Sequence, residues 1–108
     1  MISIAREKVS FPLGEKHEVI KNVSQKVGSS WKKLARELEL KDSQINNISV
    51  EENDDEDRCS LTLQKWCQLK GKDATIRKLM MALTRIGKAE VNNDIMGCLD
   101  LLNPPVYI

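Results

Sequence analysis

The sequence predicts an all-α protein, a compact six-helix antiparallel bundle. Three observations predict it. Apolar residues recur at helical spacing in six successive stretches; glycines 28, 71 and 87 fall between those stretches; and nowhere do apolar and polar residues alternate long enough for a strand.

The first helix is expected over residues 15 to 27, where Ile20, Val23 and Val27 sit at i, i+3 and i+7 beside Val19, and Gly28 follows at a left-handed cap position. Pro12 and Gly14 hold the preceding chain out of it, and Glu15 and Glu18 suit its positive end. Ser29 or Ser30 then offers a cap to the second helix, whose stripe is Trp31, Leu34, Ala35 and Leu38. Asp42 and Ser43 offer the next cap, before a short third helix carrying Ile45 and Ile48.

Asn53 with Glu56 approximates a capping box for the fourth helix, which buries Cys59, Leu63, Trp66 and Cys67 and stops at Gly71. Asp73 is the expected cap of the fifth, with Ile76, Leu79, Met80, Leu83 and Ile86 in register up to Gly87. Val91, Ile95, Leu99 and Leu102 define the sixth, ahead of Pro104 and Pro105. Residues 1–13 read as an N-terminal extension, 14–102 as one domain and 103–108 as an extended tail.

Composition agrees with a single domain. A chain of 108 residues, 41% apolar and 31% charged, has enough surface to bury for one core and too little for two. Its seventeen basic and sixteen acidic residues leave a net charge of +1, so no global field draws it to nucleic acid or anionic lipid. Cys59, Cys67 and Cys98 are odd in number and without repeated spacing, as free thiols of a reducing compartment are. No stretch has the length of a signal peptide's apolar region or of a spanning helix, so a cytoplasmic location and no membrane insertion are expected of this segment.

Catalytic and metal motifs are missing. The single histidine, His17, has no partner at zinc-ligand spacing, and neither a phosphate-cradling glycine loop nor a nucleophile elbow occurs. The acidic run Glu51, Glu52, Asp54, Asp55, Glu56 and Asp57 lacks the order of a calcium loop. No catalytic residue, metal or cofactor is therefore expected.

Gly28, Trp31-Lys-Lys-Leu34-Ala35, Leu38, Leu40, Ile45, Ile48, Leu63, Trp66, Ala74, Leu79, Leu83 and Gly87 together resemble the death-domain pattern, from about residue 14 to residue 102. The most specific parts are V-G-S-S-W-K-K-L-A-R-E-L-E-L, and L-Q-K-W-C followed by G-K-D-A-T-I-R-K-L. Where death-effector domains carry R-x-D-L, this chain reads Val91-Asn-Asn-Asp-Ile-Met. The resemblance implies a Greek-key helical bundle. It also implies a non-enzymatic module that associates with other death domains of adaptors, receptors or kinases in apoptotic or innate-immune signalling, with self-association left open. Within the family the chain reads as adaptor-like, similar to Fas-associated or immune-deficiency adaptors; receptor tails and ankyrins carry similar domains.

A module without a deep site binds through its faces, and two unlike faces permit head-to-tail assembly. Lys32 and Arg36 lie i, i+4 on the second helix, outside its apolar stripe; Lys33 has Glu37 four residues on as a local counter-charge, and Glu39 offsets Arg36 in part. Opposite in sign are Asp42 and the run Glu51, Glu52, Asp54, Asp55, Glu56 and Asp57, which Arg58 closes. Meeting of these two faces is the expected mode of partner binding, setting orientation and on-rate more than affinity. A different class, a helix-turn-helix nucleic-acid reader using Arg77, Lys78 and Arg85, is opposed by the near-neutral charge and the acidic run. No nucleic-acid partner is expected.

Overall fold

Six α-helices and two 3-10 turns make up the computed structural model, which describes residues 17–102, and the side chains of residues 17–97. The helices are α1 His17–Val27, α2 Trp31–Glu37, α3 Asp42–Glu51, α4 Asp55–Lys70, α5 Ile76–Arg85 and α6 Val91–Leu102. Among the described residues there is no strand. The expected extension 1–13, the start of the first helix at residue 15 and the tail 103–108 lie outside the described residues.

Each helix forms where its apolar stripe can reach a common centre. Val19, Ile20, Val23 and Val27 are buried on α1; Trp31, Leu34 and Ala35 on α2; Ile45 and Ile48 on α3; Cys59, Leu63 and Trp66 on α4; Ile76, Leu79, Ala82 and Leu83 on α5; Val91 and Ile95 on α6. They form one core cluster, to which Leu38, Leu40 and Ala74 add from the connections. Burying a leucine such as Leu34 or Leu63 is worth roughly 2 kcal/mol relative to exposing it. α4 is the central element, packing against α1, α2 and α3, while α1 meets α6, α6 meets α5, and α5 returns to α2. Trp31 and Trp66, 2% and 3% exposed, therefore sit on two packed helices as core anchors.

Three caps differ from the sequence reading by one or two residues. At α3 the cap is Lys41, not Asp42 or Ser43: the Lys41 backbone N–H donates to Gln44 Oε1 at 2.8 Å. A lysine side chain has no acceptor, so only this half of a capping box is made. At α4 the cap is Asp54, not Asn53, with Asp54 Oδ1 accepting from the Glu56 N–H at 3.0 Å. At α5 it is Thr75, not Asp73: Asp73 closes the 3-10 turn Gly71–Asp73, and Thr75 Oγ1 accepts from the Lys78 N–H at 3.3 Å.

α2 ends before its apolar stripe does. Its last turn closes with Leu40 N–H donating to the Ala35 carbonyl and Glu39 N–H to the Arg36 carbonyl, both at 3.0 Å, with Glu39 at φ 67°. That crossed pair with a left-handed residue is a Schellman motif. It turns the chain so that Leu38 and Leu40, though outside the helix, both enter the core.

Candidate protein-interaction surfaces

The cationic surface of α2 is built by the stripe behind it. Because Trp31, Leu34 and Ala35 face the core, Lys32, Lys33 and Arg36 face solvent. Lys32 Nζ lies 5.7 Å from the centroid of the Trp31 ring, within cation–π range, which holds its stem along the helix. Among the described residues none of the three has an ion-pair partner. Glu37 does not serve Lys33: its carboxylate lies 3.7 Å from Arg85 Nη1 of α5.

The acidic surface is the corner between α3 and α4. Glu51 ends α3 exposed, and Glu52 is half-buried at its cap. Asp54, Glu56 and Asp57 are exposed, with carboxylate oxygens within 4.8 Å of one another. Three like charges this close repel, and the N-terminus of α4 offsets part of the repulsion. Asp55 pairs with Arg58 at 3.2 Å. Asp42 does not join the corner. It is the first residue of the ten-residue α3 and Glu51 the last, so about 14 Å of helix rise separates them. Val50, 83% exposed beside Glu51, supplies an apolar group that the sequence reading missed, since it lies off the stripe of Ile45 and Ile48.

Arg58 differs from the exposed charges in being only 25% exposed and fully engaged. Its Nε donates to the Glu52 carbonyl at 2.9 Å, Nη2 to the Ser49 carbonyl at 3.3 Å and Nη1 to Asp55 Oδ1 at 3.2 Å. Two of these three bonds run to the chain's own backbone. Nothing in its sequence position distinguished it from an exposed charge, because two of its three acceptors are backbone carbonyls.

A second basic region lies over residues 70–88, where Lys70, Lys72, Arg77, Lys78, Arg85 and Lys88 outnumber the single acid Asp73. Lys70, Lys78 and Arg85 come together on the rim of a 240 Å³ depression floored by Leu38, Trp66 and Ala82, with the half-exposed Met81 beside them. Glu37, Glu39 and Asp73 share that rim, so its net charge is near zero. Of the three cations a nucleic-acid-reading α5 would use, this leaves only Arg77 away from that balanced rim.

A groove of about 560 Å³ between α1 and α4 is lined by His17, Ser24, Ser60 and Cys67 among others. Its hydroxyls are already engaged: Ser24 Oγ donates to the Ile20 carbonyl at 2.7 Å, and Ser60 Oγ accepts from Gln64 Nε2 at 3.1 Å. Burial pushes the Cys67 thiol up, away from the thiolate a nucleophile needs. Cys59, deeper still, is pushed up to about 12 by burial, against a smaller lowering by the Ser24 hydroxyl. No described helix is long and apolar enough to cross a membrane.

A small helical bundle with shallow grooves and unlike charged faces defines a protein-interaction module. Comparison with known proteins gives its family: the Death domain family model matches residues 17–96. The chain belongs to the death-domain family. It is 37% identical over 78 residues to THO complex subunit 1 of Homo sapiens, covering 72% of this chain and 11% of that protein. It is 34% identical over 76 residues to Ankyrin-1 of Mus musculus, 69% of this chain and 4% of that protein. It is also 34% identical over 86 residues to Ankyrin-3 of Homo sapiens, 79% of this chain and 2% of that protein. The chain thus spans a small part of each of these relatives. The similarity establishes the family and not an adaptor subtype.

Proposed function

We propose that this domain is a non-enzymatic assembly module that binds other death domains head to tail, the Lys32, Lys33 and Arg36 face of one molecule against the acidic α3–α4 corner of another. One observation carries the reading: three exposed cations without an ion-pair partner among the described residues stand on α2, and three exposed carboxylates drawn within 4.8 Å stand at the start of α4. Each concentration of charge is unfavourable in the free molecule and is relieved when unlike faces meet. Unlike faces also leave one of each kind open after the first contact, so the domain can join two partners. That property suits an adaptor in apoptotic or innate-immune signalling in the cytoplasm; a receptor tail needs only one of the two faces.

The test is binding to a panel of purified death domains that includes this chain, followed by sedimentation. K32E/R36E should lose at least tenfold in affinity with helix content unchanged. Where the partner is a second copy of this chain, reversal of its Asp54 and Glu56 to lysine should restore part of it. Capture by K32E/R36E at wild-type strength in physiological salt overturns the assignment of the basic face. A low-salt gel shift with duplex DNA, suppressed by reversing Arg77 and Lys78, would favour the nucleic-acid reading instead.

A further inference from the structure

Over residues 42–58 the chain carries seven carboxylates and one cation, Arg58. Its place in the sequence is unfavourable, because it occupies the first turns of α4, whose N-terminal end repels positive charge. The compensation comes from a different helix. Ser49 and Glu52, whose carbonyls accept from Nη2 and Nε, are in the last turn and at the C-cap of α3, where a helix presents its negative end. Asp55 takes the remaining contact, at 3.2 Å. The side chain is only 25% exposed. A planar guanidinium with five donors can span three acceptors at once, which an ammonium cannot do in the same geometry.

We propose that Arg58 is a positioning residue of the acidic surface: it clamps the end of α3 to the start of α4 and so holds Asp54, Glu56 and Asp57 together for docking, without itself touching the partner. The proposal rests on the reading of this corner as a docking surface. Its physical basis is preorganisation. Mutual repulsion among the three carboxylates favours any loosening of the Glu52–Asp54 connection that spreads them, and a connection that loosens must be reordered on binding at the expense of affinity. The backbone bonds that bracket the connection are Glu52 N–H to the Ile48 carbonyl at 3.2 Å and Arg58 N–H to the Asp54 carbonyl at 2.8 Å. No other described side chain bonds across it from α4 to the end of α3.

The experiment pairs R58K and R58Q with the core variant I45V, which serves as a control for general loss of stability. Amide hydrogen exchange is measured residue by residue on the isolated chain, and affinity on the same panel of purified death domains. Both Arg58 variants should exchange the Glu52 and Glu56 amides, which bond to the Ile48 carbonyl and to Asp54 Oδ1, at least tenfold faster and bind at least tenfold more weakly; I45V should do neither. Unchanged exchange at Glu52 and Glu56 overturns the proposal. So does faster exchange with undiminished binding. Binding lost in R58K with exchange unchanged also overturns it, by making Arg58 a contact residue. If the wild-type chain binds no death domain, the docking reading of the corner falls, and the exchange measurement alone still decides whether Arg58 orders it.

Discussion

Glu39 and Gly87 occupy the same position of the same motif. Each is the left-handed residue that ends a helix, at φ 67° after α2 and φ 82° after α5. The crossed pair at Glu39, Leu40 to Ala35 and Glu39 to Arg36, is repeated as Lys88 to Leu83 at 2.8 Å and Gly87 to Thr84 at 3.2 Å. The backbone demand is identical, yet only one site has the residue that meets it without strain.

Replacing Glu39 with glycine should therefore stabilise the domain. Relief of the left-handed strain is worth roughly 1–2 kcal/mol, and the added freedom of the unfolded glycine takes back about 0.4–1 kcal/mol. A net gain of roughly 0.5–1 kcal/mol is expected in urea unfolding, and Gly87→Ala should lose a similar amount. A Glu39→Gly chain less stable than wild type would show that the carboxylate does something at the rim that the backbone does not reveal.

Trp66→Ala and Leu63→Ala should each be severely destabilising, because both side chains lie in the core on the central α4. Costs of about 3–5 kcal/mol for the tryptophan and 2–5 kcal/mol for the leucine are expected from denaturant midpoints at constant slope. Lys32→Met, which removes only the cation over Trp31, should change stability by less than about 1 kcal/mol.

Alkaline pH should destabilise the fold through Cys59. The folded thiol is pushed up to about 12 from the ordinary 9.0, so between those values the unfolded chain loses a proton that the folded chain keeps. The contribution is fully present below pH 9 and is lost as pH rises towards 12. In a chain carrying C67S and C98S, thiol labelling at pH 8 should proceed at the rate of global unfolding. Labelling on the timescale of a free cysteine would mean that the α1–α4 contact opens locally.

The Glu37–Arg85 pair should contribute little and should fade in salt. Both side chains are more than a third exposed and the contact is long, so a double-mutant cycle is expected to give roughly 0.2–1 kcal/mol at low ionic strength and near zero at high salt. A coupling that survives high salt would indicate a shielded pair. It would also strengthen the case that α5 is locked to α2.

The helices and the core were largely legible. Trp31, Leu34 and Ala35, and likewise Ile76, Leu79 and Leu83, repeat at the period of a helix because a helix with one buried face requires it. Caps were legible only to within a few residues. Asn53 and Asp54 stand side by side before α4, Asp73 and Thr75 two residues apart before α5, and any of them can accept a backbone N–H. The choice falls on the residue the preceding chain holds in an extended conformation, ψ 138° at Asp54 and 156° at Thr75.

The charges of the candidate surfaces were legible as composition but not as partners. Glu37 reads as the neighbour of Lys33 along one helix, whereas its carboxylate turns to Arg85, brought beside it only when α5 packs on α2. Arg58 reads as one more surface charge, whereas it bonds to carbonyls that the end of α3 presents to it. By itself the sequence determined an all-helical bundle and its buried faces, because local periodicity carries that information, while the family was legible only through the resemblance of particular residues such as Trp31 and Trp66 to a known pattern. Only the tertiary structure decided which charges face outward unpaired and which are spent holding the domain together, because those pairings depend on distances between residues that the chain order keeps apart.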